Sequence, residues 1–192
     1  MSEWLYGSYI ELLGVLLSIL YLYFSIRQNI LLWPVGIISA VLYVLVFYKS
    51  KFYADMSLNG YYFFISIYGW IYWRSSGNSG GKNVKVKIVS KKTAVYLSLI
   101  FIGFFILIGY LLDHFTDSPL PYWDSLTTSG SIVATWMLTK KILQHWLVWV
   151  VVDIVSMCLY MYRGLYPTTI LFAVYTTMAV VGFIQWKKSI SQ

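Results

Sequence analysis

The sequence predicts an all-α membrane protein of seven transmembrane helices, built as two parallel three-helix repeats joined by a linker helix. Three observations predict it: an apolar composition, seven apolar segments of near-spanning length, and a duplication at a constant offset of 113 residues. Of 192 residues, 59% are hydrophobic and 11% charged, whereas a soluble domain carries roughly 25% charged residues. So much apolar surface cannot be hidden inside so short a chain, and the solvent must be lipid. Aromatics make up 20% of the chain, and many of the 9 Trp and 18 Tyr suit the half-wet membrane interface.

A helical span needs roughly 17–25 apolar residues. Taken in order, the segments 7–26, 31–48, 56–73, 93–112, 122–139, 146–162 and 166–186 meet or approach that length. The first has no basic stretch before it and reads as a membrane helix, not a cleaved leader. Pro34 and Pro167 stand in the opening turns of the second and seventh spans, where a missing N–H costs little. The longest connection, 74–92, contains SSGNSGGKNVKVK and reads as a polar, basic linker. The expected divisions are therefore 1–74, a first three-helix repeat; 75–121, linker and fourth helix; and 122–192, a second repeat.

The net charge of +7 belongs to the connections between spans, so it reports orientation and not nucleic-acid binding. Arg27, Arg74, Lys82, Lys85, Lys87, Lys91, Lys92, Lys140, Lys141, Lys187 and Lys188 fall on one side; Lys49, Lys51 and Arg163 fall on the other. The rule that basic loops stay inside places the C-terminus in the cytoplasm and the N-terminus outside.

At the offset of 113 the halves align without a gap. Glu11 falls on Asp124, Arg27 on Lys140, Trp33 on Trp146, Tyr62 on Tyr175, Gly69 on Gly182 and Trp73 on Trp186. An odd number of spans reverses direction, and the extra fourth span restores it, so the repeats run parallel. Carriers with such repeats hold substrate between them near the midplane.

Polar groups within spans mark candidate sites. Asp153 lies mid-way along the sixth span, and its repeat partner is Ala40, so symmetry does not require it. Trp149 and Trp146 share its helix face, and Ser156 adds a hydroxyl one turn on. Asn59, Tyr62 and Ser66 form a polar stripe on the third span, matched by Tyr175 and Thr176 on the seventh. Glu11 and Asp124, being repeat partners, are expected to be structural. Trp73 and Trp186 are expected to be interfacial anchors, and His145 a solvated loop residue. His114 and His145 fall near opposite faces and cannot share a site. No HExxH, no paired-carboxylate motif and no GxxxxGK[ST] occurs, so no catalytic set, metal site, cofactor or nucleotide site is expected. Cys158 is the single cysteine and excludes an internal disulfide.

The stretch WPVGIISAVLYVLVFYKSKFYADMSLNGYYFFISIYGWIYW, and the stretch from YWDSLTTSGSIVATWMLTKK to YPTTILF, resemble the Pnu family of bacterial vitamin transporters. That resemblance implies two three-helix bundles joined by one helix, an architecture related to the SWEET sugar transporters. It implies residence in the bacterial inner membrane and facilitated diffusion, with a cytoplasmic kinase trapping the vitamin. It leaves room for a homo-oligomer and implies no nucleic-acid partner. Nicotinamide riboside, a fixed pyridinium cation with a carboxamide and hydroxyls, is the substrate it suggests. Asp153, Trp149, Trp146, Asn59, Tyr62, Ser66, Tyr175 and Thr176 supply an acid, aromatic faces and hydrogen-bonding groups for it. Thiamine is also a fixed aromatic cation, and the same residues would serve it. An amide at the level of Asp153 is expected for nicotinamide riboside, so the acid keeps thiamine open. A different class, the binding subunit of a larger pump, is separated by whether the protein transports unaided.

Overall fold

The computed structural model describes residues 2–49, 53–78 and 85–190, with side chains over 13–48, 56–75 and 85–190. Seven helices follow one another: α1 (Ser2–Ile26), α2 (Leu32–Lys49), α3 (Tyr53–Asn78), α4 (Lys91–Phe115), α5 (Pro121–Thr139), α6 (His145–Tyr162) and α7 (Tyr166–Ile190). Each expected span lies within one of them, to within a residue. The linker is shorter than expected, because α3 runs on through the polar SSGN stretch to Asn78. α4, α6 and α7 are each long and apolar enough to cross a membrane, and Leu13–Ile26 and Leu32–Tyr48 are shorter apolar helices.

The chain divides into two units, residues 1–84 and 85–192. In the first, α2 packs on both α1 and α3. In the second, α5 packs on α4 and α6, and α6 packs on α7, so α4 belongs with the second unit.

The duplication is written into the backbone. α1 ends with Gln28 in the left-handed region (φ 54°), and α5 ends with Lys141 there (φ 49°), 113 residues later. At the first, Gln28 N donates to Ser25 O (3.0 Å) and Asn29 N to Phe24 O (2.9 Å). At the second, Lys141 N donates to Leu138 O (3.0 Å) and Ile142 N to Met137 O (3.0 Å). This paired arrangement satisfies carbonyls that a helix end otherwise leaves orphaned. α6 ends the same way at Gly164 (φ 73°), where a glycine meets the left-handed conformation without steric cost.

Side chains repeat as well. Trp33 and Trp146 open α2 and α6, both fully buried. Trp33 meets Trp73 edge-on at 5.2 Å, and Trp146 meets Trp186 edge-on at 5.8 Å. Trp73 and Trp186 are thus packing residues, which corrects the expectation that they anchor the interface. They lie where two helices converge, and each fills the space beside the other tryptophan.

His145 is also corrected: it is fully buried, not solvated. Its repeat position in the first unit is Leu32, equally buried, so the imidazole occupies a slot the backbone makes for an apolar side chain. It lies between the rings of Trp146 (4.5 Å) and Trp186 (4.7 Å). Ile142 O can only accept, so the imidazole Nδ1 carries a proton and donates to it (2.8 Å).

α5 is rich in Ser and Thr, and this suits a helix clasped between α4 and α6. Thr128, Ser131 and Thr135 each return their hydroxyl to the carbonyl four residues back, and Ser125 donates to Phe105 O of α4 (2.6 Å). A hydroxyl satisfied in this way can be carried at membrane depth. Gly130 lets α6 approach closely: a Cβ there would stand 2.6 Å from Val152 Cγ2.

The segment before α4 is strapped to the α5–α6 turn. Lys87 N donates to Lys141 O (3.0 Å), Leu143 N donates to Lys87 O (2.9 Å), and Val89 N donates to Gln144 Oε1 (2.9 Å). Ser90 then caps α4 by accepting from Thr93 N.

Candidate functional site

The candidate site grows from the middle of α6. Trp149, Asp153 and Ser156 follow at intervals of four and three residues, which puts them on one face of the helix. Asp153 is 4% exposed and Ser156 is buried, while the Trp149 indole is half-buried. Asp153 makes no hydrogen bond or ion pair to another described residue. A carboxylate at membrane depth is costly unless a proton, a cation or a polar ligand meets it. A half-open indole one turn away offers a π face to the same ligand, a contact worth about 2 kcal/mol when water is excluded.

Trp146 shares this face but not this place. It lies nearly two turns back, roughly 10 Å along the axis, and its ring is taken up by Gly182, Trp186 and His145. Tyr175 and Thr176 are on α7 of the same unit. Tyr175 is half-buried with its ring edge-on to Phe172 (5.5 Å), and the Thr176 hydroxyl is returned to Phe172 O (2.9 Å).

Asn59, Tyr62 and Ser66 are on α3 of the first unit. Ser66 is buried, and Asn59 and Tyr62 are half-buried. Tyr62 lies beside Tyr61, their ring centroids 5.8 Å apart. Tyr21 of α1, which sequence reasoning passed over, lies beside Ser66 of α3 across Gly36 of α2, where an added Cβ would stand 3.0 Å from Tyr21 Cε2 and 3.0 Å from Ser66 Oγ. A tyrosine in an aromatic-rich apolar helix carries no local signal. The signal available was its repeat partner, Ala134, which lacks any polar group.

Asp124 is held by an ion pair and a hydrogen bond within the second unit. Arg163 Nη2 donates to both carboxylate oxygens (3.0 and 2.9 Å), and Ser118 Oγ donates to Oδ2 (2.7 Å). The group joins the start of α5 to the end of α6. Glu11, its repeat partner, lies outside the residues whose side chains are described. At the opposite end of α5 and α6, burial beneath the strap pulls the Lys141 ammonium down to about 8. Among the described residues no three His, Cys, Asp or Glu side chains come together as a metal site.

Comparison with known proteins accords with this architecture. A family model described as nicotinamide mononucleotide transporter matches residues 8–188. The chain is 21% identical to the nicotinamide riboside transporter PnuC of Escherichia coli (strain K12), covering 95% of this chain and 86% of that protein. It is 20% identical to the riboflavin/roseoflavin transporter RibM of Streptomyces davaonensis, covering 92% and 83%. The crystal structure of the vitamin B3 transporter PnuC matches with a TM-score of 0.77 and 25% identity, covering 96% of this chain and 83% of that one.

Proposed function

The chain belongs to the nicotinamide mononucleotide transporter family, and from that premise we propose that it carries nicotinamide riboside into the cell by facilitated diffusion. As a member of a transporter family with long apolar helices it is a multi-pass membrane protein and not an enzyme. The observation that carries the substrate reading is Asp153: a buried carboxylate without a protein partner among the described residues, one turn from a half-open indole. A pyridinium ring satisfies both, by charge and by cation–π contact. Riboflavin, named for one relative, has no such fixed charge. Thiamine does, and the acid at 153 supports it as the second reading.

In this proposal Asp153 and Trp149 meet the cationic ring, and Tyr175 and Thr176, on α7 of the same unit, serve its carboxamide or hydroxyls; Asn59, Tyr62 and Ser66 are the polar groups of α3 in the first unit. Trp146 supports the helix that bears the acid. The two three-helix repeats, with α4 as the linking helix, form the carrier. The C-terminus lies in the cytoplasm, the N-terminus outside, and the membrane is the bacterial inner one. A cytoplasmic kinase traps the vitamin.

Uptake into liposomes holding the purified protein tests this reading. Labelled nicotinamide riboside should enter saturably without ATP or an ion gradient and exchange with unlabelled substrate. Thiamine entering in its place would favour the second reading. No uptake of either would point to a pump subunit, and proton-driven accumulation would replace facilitated diffusion with coupled transport.

A further inference from the structure

The second unit carries all its lysines at one end. Lys85 and Lys87 are on the strap, Lys91 and Lys92 open α4, Lys140 and Lys141 form the α5–α6 turn, and Lys187 and Lys188 close α7. Contacts within the unit gather them: backbone bonds join Lys87 to Lys141 and Leu143, and Trp186 of α7 packs on His145 beside that turn. The acids of the unit are elsewhere. Asp153 is mid-helix, and Asp113, Asp117 and Asp124 lie toward the other end, where Arg163 meets Asp124. Lys91 and Lys92 stand in the first turn of α4, where the helix dipole disfavours a cation. Their presence there calls for a reason outside the helix. Below them runs an apolar track. Lys92, Val95, Leu99, Ile102 and Ile106 follow at intervals of three and four residues, so they share one face, and all are exposed. Ile88, on the strap between Lys87 and Lys91, is exposed as well.

We propose that the strap and the opening of α4 form a seat for an anionic phospholipid, with its phosphodiester among Lys85, Lys87, Lys91 and Lys92 and an acyl chain along Val95, Leu99 and Ile102. Ammonium groups pair with a phosphodiester through charge-assisted hydrogen bonds, and its negative charge offsets the two cations that the dipole of α4 disfavours. Basic clusters at the end of a membrane helix meet the lipid headgroups there. The apolar track selects a lipid over a free phosphate ester, which would gain nothing from Val95 and Leu99. Both backbone groups of Lys87 are bonded to the α5–α6 turn. The lysines are therefore presented from a fixed backbone, and less ordering is required when the headgroup arrives. A lipid held in this way ties the start of α4 to the membrane surface.

Calorimetry on the purified full chain in a non-ionic detergent tests it with dihexanoyl phosphatidylglycerol, dihexanoyl phosphatidylcholine and glycerol 3-phosphate. Phosphatidylglycerol should bind about tenfold or more tightly than either of the others, and its affinity should fall as salt rises. Lys91→Gln with Lys92→Gln should weaken it about tenfold to thirtyfold, the scale of two cations near an anionic headgroup. Lys187→Gln with Lys188→Gln removes the same charge from α7 and should cost about threefold or less. Should the first pair not be recovered folded, Leu99→Ala carries the comparison: it should weaken phosphatidylglycerol about threefold to tenfold through lost apolar contact. Equal binding of the two lipids would overturn the inference. Glycerol 3-phosphate binding as tightly as the lipid would make the ligand a free anion and overturn it too. Equal losses in the two lysine pairs would show diffuse attraction without a seat, and unchanged affinity in Leu99→Ala would remove the acyl track.

Discussion

Gly182 of α7 lies flat against the indole of Trp146 of α6, so closely that an added Cβ would stand 2.6 Å from Cε2 and Cζ2. The relationship recurs 113 residues earlier, where a Cβ on Gly69 would run into Cη2 of Trp33. Both indoles are fully buried and braced by a second tryptophan, so neither ring has room to retreat.

Gly182→Ala and Gly69→Ala should each lower stability by about 1–3 kcal/mol, the usual cost of overpacking. Thermal melts of the detergent-solubilised variants check this. Gly60→Ala, where no atom stands within 4 Å of the added carbon, should melt as the parent does.

Arg163→Ala should cost about 1 kcal/mol or less, because the pair is partly solvated, with both side chains 29% exposed. Its melting deficit should shrink as salt screens the parent's ion pair. Ligand affinity should not move. A loss of affinity in Arg163→Ala would assign Asp124 a role in binding instead.

Asp153→Asn should weaken binding of nicotinamide riboside by about 1.5–3 kcal/mol, roughly tenfold to a hundredfold. Trp149→Ala should lose about 2 kcal/mol through the lost π face. Calorimetry together with a melting curve separates lost binding from lost folding. Parent-like affinity in Asp153→Asn would remove the acid from the site.

Lys141 gives a pH signature of definite sign. Burial lowers its ammonium from the ordinary 10.5 to about 8, so the folded state holds the proton less firmly than the unfolded chain does. The penalty is complete below about pH 8 and is relieved as pH rises from there toward 10.5. The parent's stability relative to Lys141→Met should therefore rise across that window. A difference that stays flat from pH 8 to 10.5 would show that the ammonium is solvated.

The seven segments were legible in the sequence because lipid imposes a length and a composition on any helix that crosses it, and both can be read one residue at a time. The duplication was legible because Trp33 with Trp146, Gly69 with Gly182 and Trp73 with Trp186 keep a constant offset, and matched residues preserve matched packing. Asp153 was legible as a candidate because a charge inside an apolar run is conspicuous in one dimension. The sequence alone did not reveal which neighbours those residues meet. His145 adjoins a basic turn in the chain, yet the fold turns it into the slot that Leu32 fills in the other repeat. Arg163 and Asp124 are 39 residues apart and meet only because α5 and α6 pack side by side. The strap from Lys87 to the α5–α6 turn joins residues 54 and 56 apart through backbone groups, which every sequence possesses alike. Tyr21 of α1 and Ser66 of α3 close together on Gly36 of α2, though they stand far apart in the chain. Local pattern decides which face of a helix is polar. Only the packing of helices, where close approach at glycine is weighed against the bulk of tryptophan, decides what that face confronts.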